Sequence, residues 1–253
     1  MYTGNNKKIV ATVEARMTSS RLPGKVLFPL AGKPALERLL ERVRTSAYVD
    51  EIVVATTTNH ADDPIVSLAK RLNVTYFRGS EDDVLSRVLL AAQSVQGDII
   101  VEITGDCPLV NGELVDRGIE EFFSHDVDYA SNTLPRSYPD GFDVQVFPVA
   151  VLAEVDKLTQ DPIDRVHVSL YLYSHPERFA LHGWLPKEHE HFWPDLRVTL
   201  DEKADYELVG LIFERLLPVN KNFGVSEVLT FLRNNPQLLT INKHVKTKKT
   251  IEG

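Results

Sequence analysis

The chain has 253 residues, enough for one large domain or two small ones, and 43% of them are hydrophobic, ample for a buried core. A formal net charge of −8 at pH 7 argues against a general role on nucleic acid or an anionic membrane, so any basic cluster has a local purpose. The single cysteine, Cys107, excludes an intrachain disulfide. No apolar run reaches the roughly 18–20 residues of a membrane span, and "MYTGNNKK" leads into a strand-like run rather than a signal peptide, so the expectation is a cytoplasmic protein.

In chain order, "KIVATVEA" (8–15) is β-branched and nearly all apolar, as a strand covered on both faces should be. Leu36, Leu39, Leu40 and Val43 then follow the spacing of an amphipathic helix. "EIVVATT" from Glu51 reads as a second buried strand, and "DDP" opens a helix with Asp63 as N-cap and Pro64 in the first turn. A short strand at "VTYF" (74–77) precedes a helix over Val84, Leu85, Val88 and Leu89, with Ser80 and Asp83 resembling its capping box. "DIIVEIT" (98–104) is the clearest strand, followed by "GDCPLV" and a helix near 111–123. This alternation predicts a parallel sheet with helices on both faces.

From Val127 the rhythm changes. "VDYAS" and "FDVQVF" read as strands separated by a "YPDG" turn, a helix is expected over about 162–174, and "FALHGWL" is strand-like. "LRVTLD" (196–201) is expected as a strand leading into a helix built on Tyr206, Leu208, Val209, Ile212 and Leu216, and the polar, basic tail "KHVKTKKTIEG" is expected to fray. The expected organisation is a single domain over 1–253. It comprises a first half of alternating strands and helices (8–126), an inserted substrate lobe (127–195), a return to the core sheet (196–240) and the tail (241–253).

Two constellations carry chemistry. Between the first strand and the Leu36 helix lie about eighteen residues, well above the usual two to six, holding Arg16, Arg21, Lys25 and Lys33 with Gly24 and Gly32. A long loop past the end of a parallel strand is where ligands sit, and its cations and glycines suit a polyphosphate. It has neither the spacing of a P-loop nor that of a dinucleotide site, and a solvated basic loop paired with surface acids fits the charges equally well. The second constellation is Asp106 and Asp201, each just past a predicted strand end. Two such carboxylates can converge on one pocket and, with phosphate oxygens, form the hard oxygen set of Mg²⁺; taken singly, each reads better as a cap of the following helix.

"ARMTSSRLPGKVLFPLAGKP" resembles the N-terminal signature of the sugar cytidylyltransferases that make CMP-3-deoxy-manno-octulosonate and CMP-acylneuraminate. It is most similar to the branch of the spore coat polysaccharide biosynthesis protein F. The resemblance continues in order through "FRGSEDDVLSRV", "GDCPLV", "SNTLPRSYPDGFDVQVF", "HPERF" and "RVTLDEKADYELV", covering about residues 8–231. It implies a GT-A-like, Rossmann-related α/β fold with a mostly parallel central sheet. It also implies a Mg²⁺-dependent cytidylyltransferase that couples CTP to a sugar of the ulosonic acid type or a related one, often as a homodimer. By the same resemblance Arg16, Ser20, Arg21 and Lys25 would hold the CTP phosphates, Arg78 and Ser80 would lie near the nucleoside, and Asp106 and Asp201 would be the metal ligands. Arg16, Lys25, Asp106 and Asp201 form the implied catalytic set.

On the acceptor side, Arg136, Asp140 and Asp143 bracket the "YPDG" turn where the sugar would lie; Arg136 reads either as an anion-binding residue or as a surface charge. Arg165 and His167 lie in "DRVHVSLY", where the branch usually reads closer to Arg-Glu-His-Val-Thr. Val166 thus replaces an acid, and Gln145 stands where a glutamate is usual. His189 and His191 in "KEHEHFW" have chelating spacing without a supporting third ligand, and read as a loop or interface pair. Cys107 is expected to be a small buried residue.

Overall fold

The computed structural model describes residues 6–187 and 191–246; residues 247–253 of the tail and His189 of the histidine pair lie outside the described residues. From the N-terminus, β1 (Ile9–Glu14) is followed by a small hairpin of β2 (Pro29–Leu30) and β3 (Lys33–Pro34), then α1 (Ala35–Val43) and β4 (Glu51–Thr57). Next come α2 (Asp63–Arg71), β5 (Thr75–Gly79), α3 (Val84–Ser94), β6 (Ile99–Thr104) and α4 (Gly112–Phe123). The second part contains β7 (Tyr129–Ser131), β8 (Gln145–Pro148), α5 (Val149–Leu158), α6 (Pro162–Val166), α7 (Leu170–Ser174) and β9 (Leu181–Gly183). Two helices close the described chain, α8 (Lys203–Leu216) and α9 (Val225–Asn234).

Seven strands form one sheet in the order β5-β4-β1-β6-β8-β7-β9. The first four are parallel, β8 runs against both of its neighbours, and β9 is parallel to β7. The sheet is therefore mixed: an α/β, Rossmann-like core extended by a lobe in which the chain reverses. Alternation along β1 sends Ile9, Ala11 and Val13 into the main core, together with Leu36, Leu39, Leu40 and Val43 of α1. Val10 packs on the opposite face with Val53, Ala55 and Ala91. Thr12 and Glu14 share that opposite face by their spacing.

Three local expectations are corrected. The backbone N-cap of α2 is Asp62, not Asp63. Asp62 does not cap; its buried carboxylate accepts the N–H of Met17 at 2.7 Å and of Thr57 at 3.1 Å, tying the start of the basic loop to the end of β4. The helix expected over 162–174 is two short helices, broken where Val168 takes a φ of 34° and buries its side chain against Leu85 and Leu172. "LRVTLD" is extended but is not a strand of the sheet. Its alternate residues Leu196, Val198 and Leu200 are buried, which produces a strand-like pattern. Its backbone bonds instead go to two loops: Val198 N–H donates to the Asp140 carbonyl at 2.7 Å and Leu200 N–H to the Asp106 carbonyl at 2.8 Å.

Candidate active site

Strand order reverses direction at β1: β4 and β5 are added on one side of it, and the chain then crosses back to place β6 on the other. A ligand crevice is expected beyond the carboxyl ends of β1 and β6. A cleft of about 370 Å³ opens there, lined by Glu14, Arg16, Ser20, Arg21, Lys25 and Asp106 with, among others, His167 and Asp201. A wider depression of about 620 Å³, bordered by Tyr48, Asn111, Asp116 and Glu227, contains none of the predicted site residues.

The basic loop is built rather than loose. Gly24 has φ 76°, a conformation favouring glycine, and its N–H donates to the Met17 carbonyl at 2.9 Å. This starts a 3-10 turn over Lys25–Leu27 that turns the Lys25 side chain inward. The Lys25 ammonium donates to Asp106 Oδ2 at 2.8 Å and to Asp201 Oδ1 at 2.7 Å, joining residues 81 and 176 positions away in sequence. Burial alone would lower the Lys25 pKa, but the two carboxylates raise it above its ordinary value. Burial likewise works to raise Asp106, and Lys25 overrides it, holding that carboxyl at about 2.

Asp201 is delivered to this point by the extended segment before it. Thr199 Oγ1 donates to the Asp106 carbonyl at 3.1 Å, so the two aspartates share one backbone anchor. Gly141, at φ 113°, lets the "YPDG" turn pack on that segment; a Cβ there would meet Thr199 N at 2.6 Å. Asp201 Oδ2 accepts from Arg21 at 2.9 Å and also meets Arg197. Arg16 lines the cleft with its guanidinium 3.7 Å from Glu81, whereas Lys33 points to Glu37 and Glu41 and takes no part.

The remaining predicted residues divide. Ser20 and His167 line the cleft, and His167 Nε2 is buried without a hydrogen-bond partner. Arg78 does not line it: its guanidinium donates to the Thr57 and Asn59 carbonyls and to Asp63, each at 2.7 Å. Ser80 Oγ accepts the Asp83 N–H at 3.1 Å, and Asp83 caps α3 through the Ser86 N–H at 3.0 Å. Arg165 clips α6 to α3, with Nε 2.9 Å from Asp83 Oδ1 and a second contact of 2.8 Å to Asp156. Arg136 forms a two-pronged pair with Asp143 at 2.7 Å on both arms. Asp140 faces Arg197 at 2.9 Å, and burial pushes its carboxyl up to about 6. Cys107 is buried, as expected, with its thiol pushed well above the usual range by burial.

Four residues escaped the sequence reading. Arg197 is buried among Asp140, Asp201 and Asp205, and fixes the angle at which Asp201 enters the cleft. Glu14 and Glu102 occupy strand positions on the face turned towards α3, with Arg87 of α3 buried nearby. The available signal was charge inside otherwise apolar strands. Separately, Glu121, His125 and His182 each bring one ligand atom within 4.8 Å of the others and could coordinate a divalent metal ion; none of the three lines the cleft.

Comparison with known proteins fits this geometry. The cytidylyltransferase family model matches residues 10–207. The chain is 36% identical over 241 residues to an uncharacterized protein of Methanocaldococcus jannaschii, covering 95% of this chain and 97% of that one. It is 32% identical over 238 residues to the spore coat polysaccharide biosynthesis protein SpsF of Bacillus subtilis, covering 92% and 97%. Among solved structures, a cytidylyltransferase from Leptospira borgpetersenii superposes with a TM-score of 0.87 at 29% identity, covering 96% of this chain and 99% of that one. Motif order, fold and near-complete overlap agree: the chain belongs to the cytidylyltransferase family and is a nucleotidyltransferase.

Proposed function

We propose that the protein transfers a cytidylyl group from CTP to a hydroxyl of a sugar, of the ulosonic acid type or related to it, releasing pyrophosphate. The product would be a CMP-sugar for a surface polysaccharide or glycoconjugate. The observation that carries this reading is the Lys25 ammonium held between Asp106 and Asp201, with Arg16 and Arg21 beside it, beyond the ends of β1 and β6.

Arg16, Ser20, Arg21 and Lys25 are the groups for the triphosphate. Without ligand, Arg21 and Lys25 neutralise the acids; with it, they exchange those partners for phosphate oxygens, which charged donors bind strongly. Asp106 and Asp201 would hold Mg²⁺. Their oxygens already converge on a single cation, and the set is all oxygen, as that ion prefers. Bound there, the ion supplies charge neutralisation at the α-phosphate. The acceptor hydroxyl oxygen would bond to the α-phosphorus as the bond to the bridging oxygen breaks; pyrophosphate leaves with that electron pair and the hydroxyl proton is released to water. The chain contributes alignment of the two substrates, fixed positive charge and exclusion of water.

On the acceptor side, the unpartnered His167 Nε2 in the cleft supports a contact with the sugar. Arg136, Asp140, Asp143 and Arg165 are proposed to shape that lobe through their mutual pairs, and Arg78 and Ser80 to brace the nucleoside side. A homodimer is the proposed assembly, which sedimentation would check.

The test is pyrophosphate release, with Mg²⁺, over CTP, GTP, UTP and ATP and a panel of sugars, alongside thermal shifts with each nucleotide. CTP should give the largest rise in melting temperature and should alone support turnover. Turnover with another nucleotide, or none with CTP across a broad panel, would overturn the reading.

A further inference from the structure

The floor of the cleft carries an arrangement that triphosphate binding does not use. Thr12 of β1 is in register with Glu102 of β6, and Glu14 with Thr104, so Thr12, Glu14 and Glu102 lie together on one face of the sheet. Thr12 Oγ1, Glu14 Oε1 and Glu102 Oε2 are all buried and none has a hydrogen-bond partner. Glu14 lines the cleft, and Glu102, only 4% exposed, lies beside it in the layer beneath.

The neighbouring donors are shared: Ser169 reaches Glu102 as well as Gln145. The Tyr129 hydroxyl and Ser169 Oγ both donate to Gln145 Oε1. Arg87, the buried cation whose charge acts most strongly on Glu14, gives its Nη1 to the Ser80 and Glu81 carbonyls, keeps a buried Nε without a partner, and stands in no ion pair with either glutamate among the described residues. Burial pushes both carboxyls up, Glu14 to about 7 and Glu102 well beyond the usual range. An unsatisfied buried acceptor costs on the order of 1–3 kcal/mol, and Glu14 and Glu102 each leave one buried oxygen without a donor, which gives this end of the cleft spare capacity to accept hydrogen bonds.

We propose that this end of the cleft selects an acceptor bearing an ammonium group, with Glu14 in contact with it and Glu102 adding a second acceptor oxygen behind. The inference rests on the nucleotidyltransferase reading above and narrows its acceptor. An ammonium supplies three hydrogen-bond donors and a full charge, the complement of this floor. A carboxylate would meet Glu14 instead, and Arg136, the residue expected to hold one, is already neutralised by Asp143. The acceptor is thus an amino-bearing sugar in preference to a simple ulosonic acid.

The test uses the full chain with CTP and Mg²⁺ and matched acceptors on several sugar skeletons that differ at one position: amine, N-acetyl, hydroxyl or carboxylate. Pyrophosphate release should favour the amine over its hydroxyl counterpart by about tenfold or more, and Glu14→Gln should erase most of that preference, since a charged hydrogen bond is worth about 10–100-fold. Glu102→Gln, set one layer deeper, should reduce it less. Thermal shift reads nucleotide binding separately, and CTP should still raise the melting temperature of both variants. Preference for the carboxylate, an amine preference unaltered by both variants, or no turnover of any amine while CTP still binds would each overturn the inference. Failure of CTP to bind at all would instead sink the parent reading.

Discussion

The two halves of the sheet use charge differently. In the parallel half, Lys25, Asp106, Arg21 and Asp201 come from segments far apart in sequence and meet at one point beyond β1 and β6. In the lobe of β7, β8 and β9, the cations are closed into structural pairs: Arg136 with Asp143, Arg165 with Asp83 and Asp156. A triphosphate and its metal can take over the first set by exchanging partners one for one. The cations of the lobe are already paired, while Glu14 on the floor and His167 each keep a buried polar atom without a partner. On the proposed reading, the nucleotide site is a cluster held ready for exchange and the acceptor site is defined by the unpartnered acceptors of its floor.

The contrast can be broken at several points. The largest expected effect is at Arg197, which joins the two halves. Arg197→Met should destabilise the fold by about 3 kcal/mol, because Asp205, fully buried, loses a charged partner and keeps only the backbone donors of Asp201 and Glu202 and the Asn242 amide. Urea unfolding measures it; a change under 1 kcal/mol would show that Arg197 is not the joint. Next is Lys25→Ala, expected to weaken CTP binding by about 1.5–3 kcal/mol, roughly 10- to 100-fold in titration calorimetry.

Glu14 should give stability a pH dependence. Its carboxyl is raised from the usual 4.5 to about 7 by burial, against the pull of Arg87 and with Asp106 adding to the rise; Arg16 and Glu102 also face it. Between those values the folded chain keeps a proton that the unfolded chain has released, so stability falls as pH rises from about 5 to above 7, by on the order of 2 kcal/mol. Urea midpoints at pH 5 and pH 8 should show that fall. Glu14→Gln should flatten it, leaving the slope due to Glu102; an unchanged slope would place the titration elsewhere. The smallest effect is at Arg136, whose side chain is 36% exposed: Arg136→Ala should cost less than about 1 kcal/mol. A tenfold rise in KM for an acceptor in that variant would return Arg136 to the binding surface.

Much of the parallel half was legible because β1 and β6 are almost continuously apolar and α1 follows helical spacing. The loop and Asp106 could be placed from their positions after those strands. Asp201 was placed correctly for a partly mistaken reason. The alternation of Leu196, Val198 and Leu200 was read as a strand, but a segment wedged between two loops buries alternate residues just as well. That misreading also hid Arg197, which in a surface strand would point outward and here turns into an acidic cluster. Glu14 and Glu102 were hidden by the same habit, since a run called buried and apolar draws attention away from the acids inside it. Arg78 and Arg165 looked like ligand residues because nothing in linear sequence shows that carbonyls and aspartates already occupy them.

The central claim is that Asp106 and Asp201, bridged by Lys25, are the metal-binding heart of a nucleotidyl transfer site. Steady-state pyrophosphate release from CTP by Asp106→Ala and Asp201→Ala, in protein shown by circular dichroism to be folded, tests it most directly. Each variant should lose at least about 100- to 1,000-fold in kcat, the scale of losing a principal electrostatic contact to the reacting phosphate. Full activity in either folded variant would contradict the account.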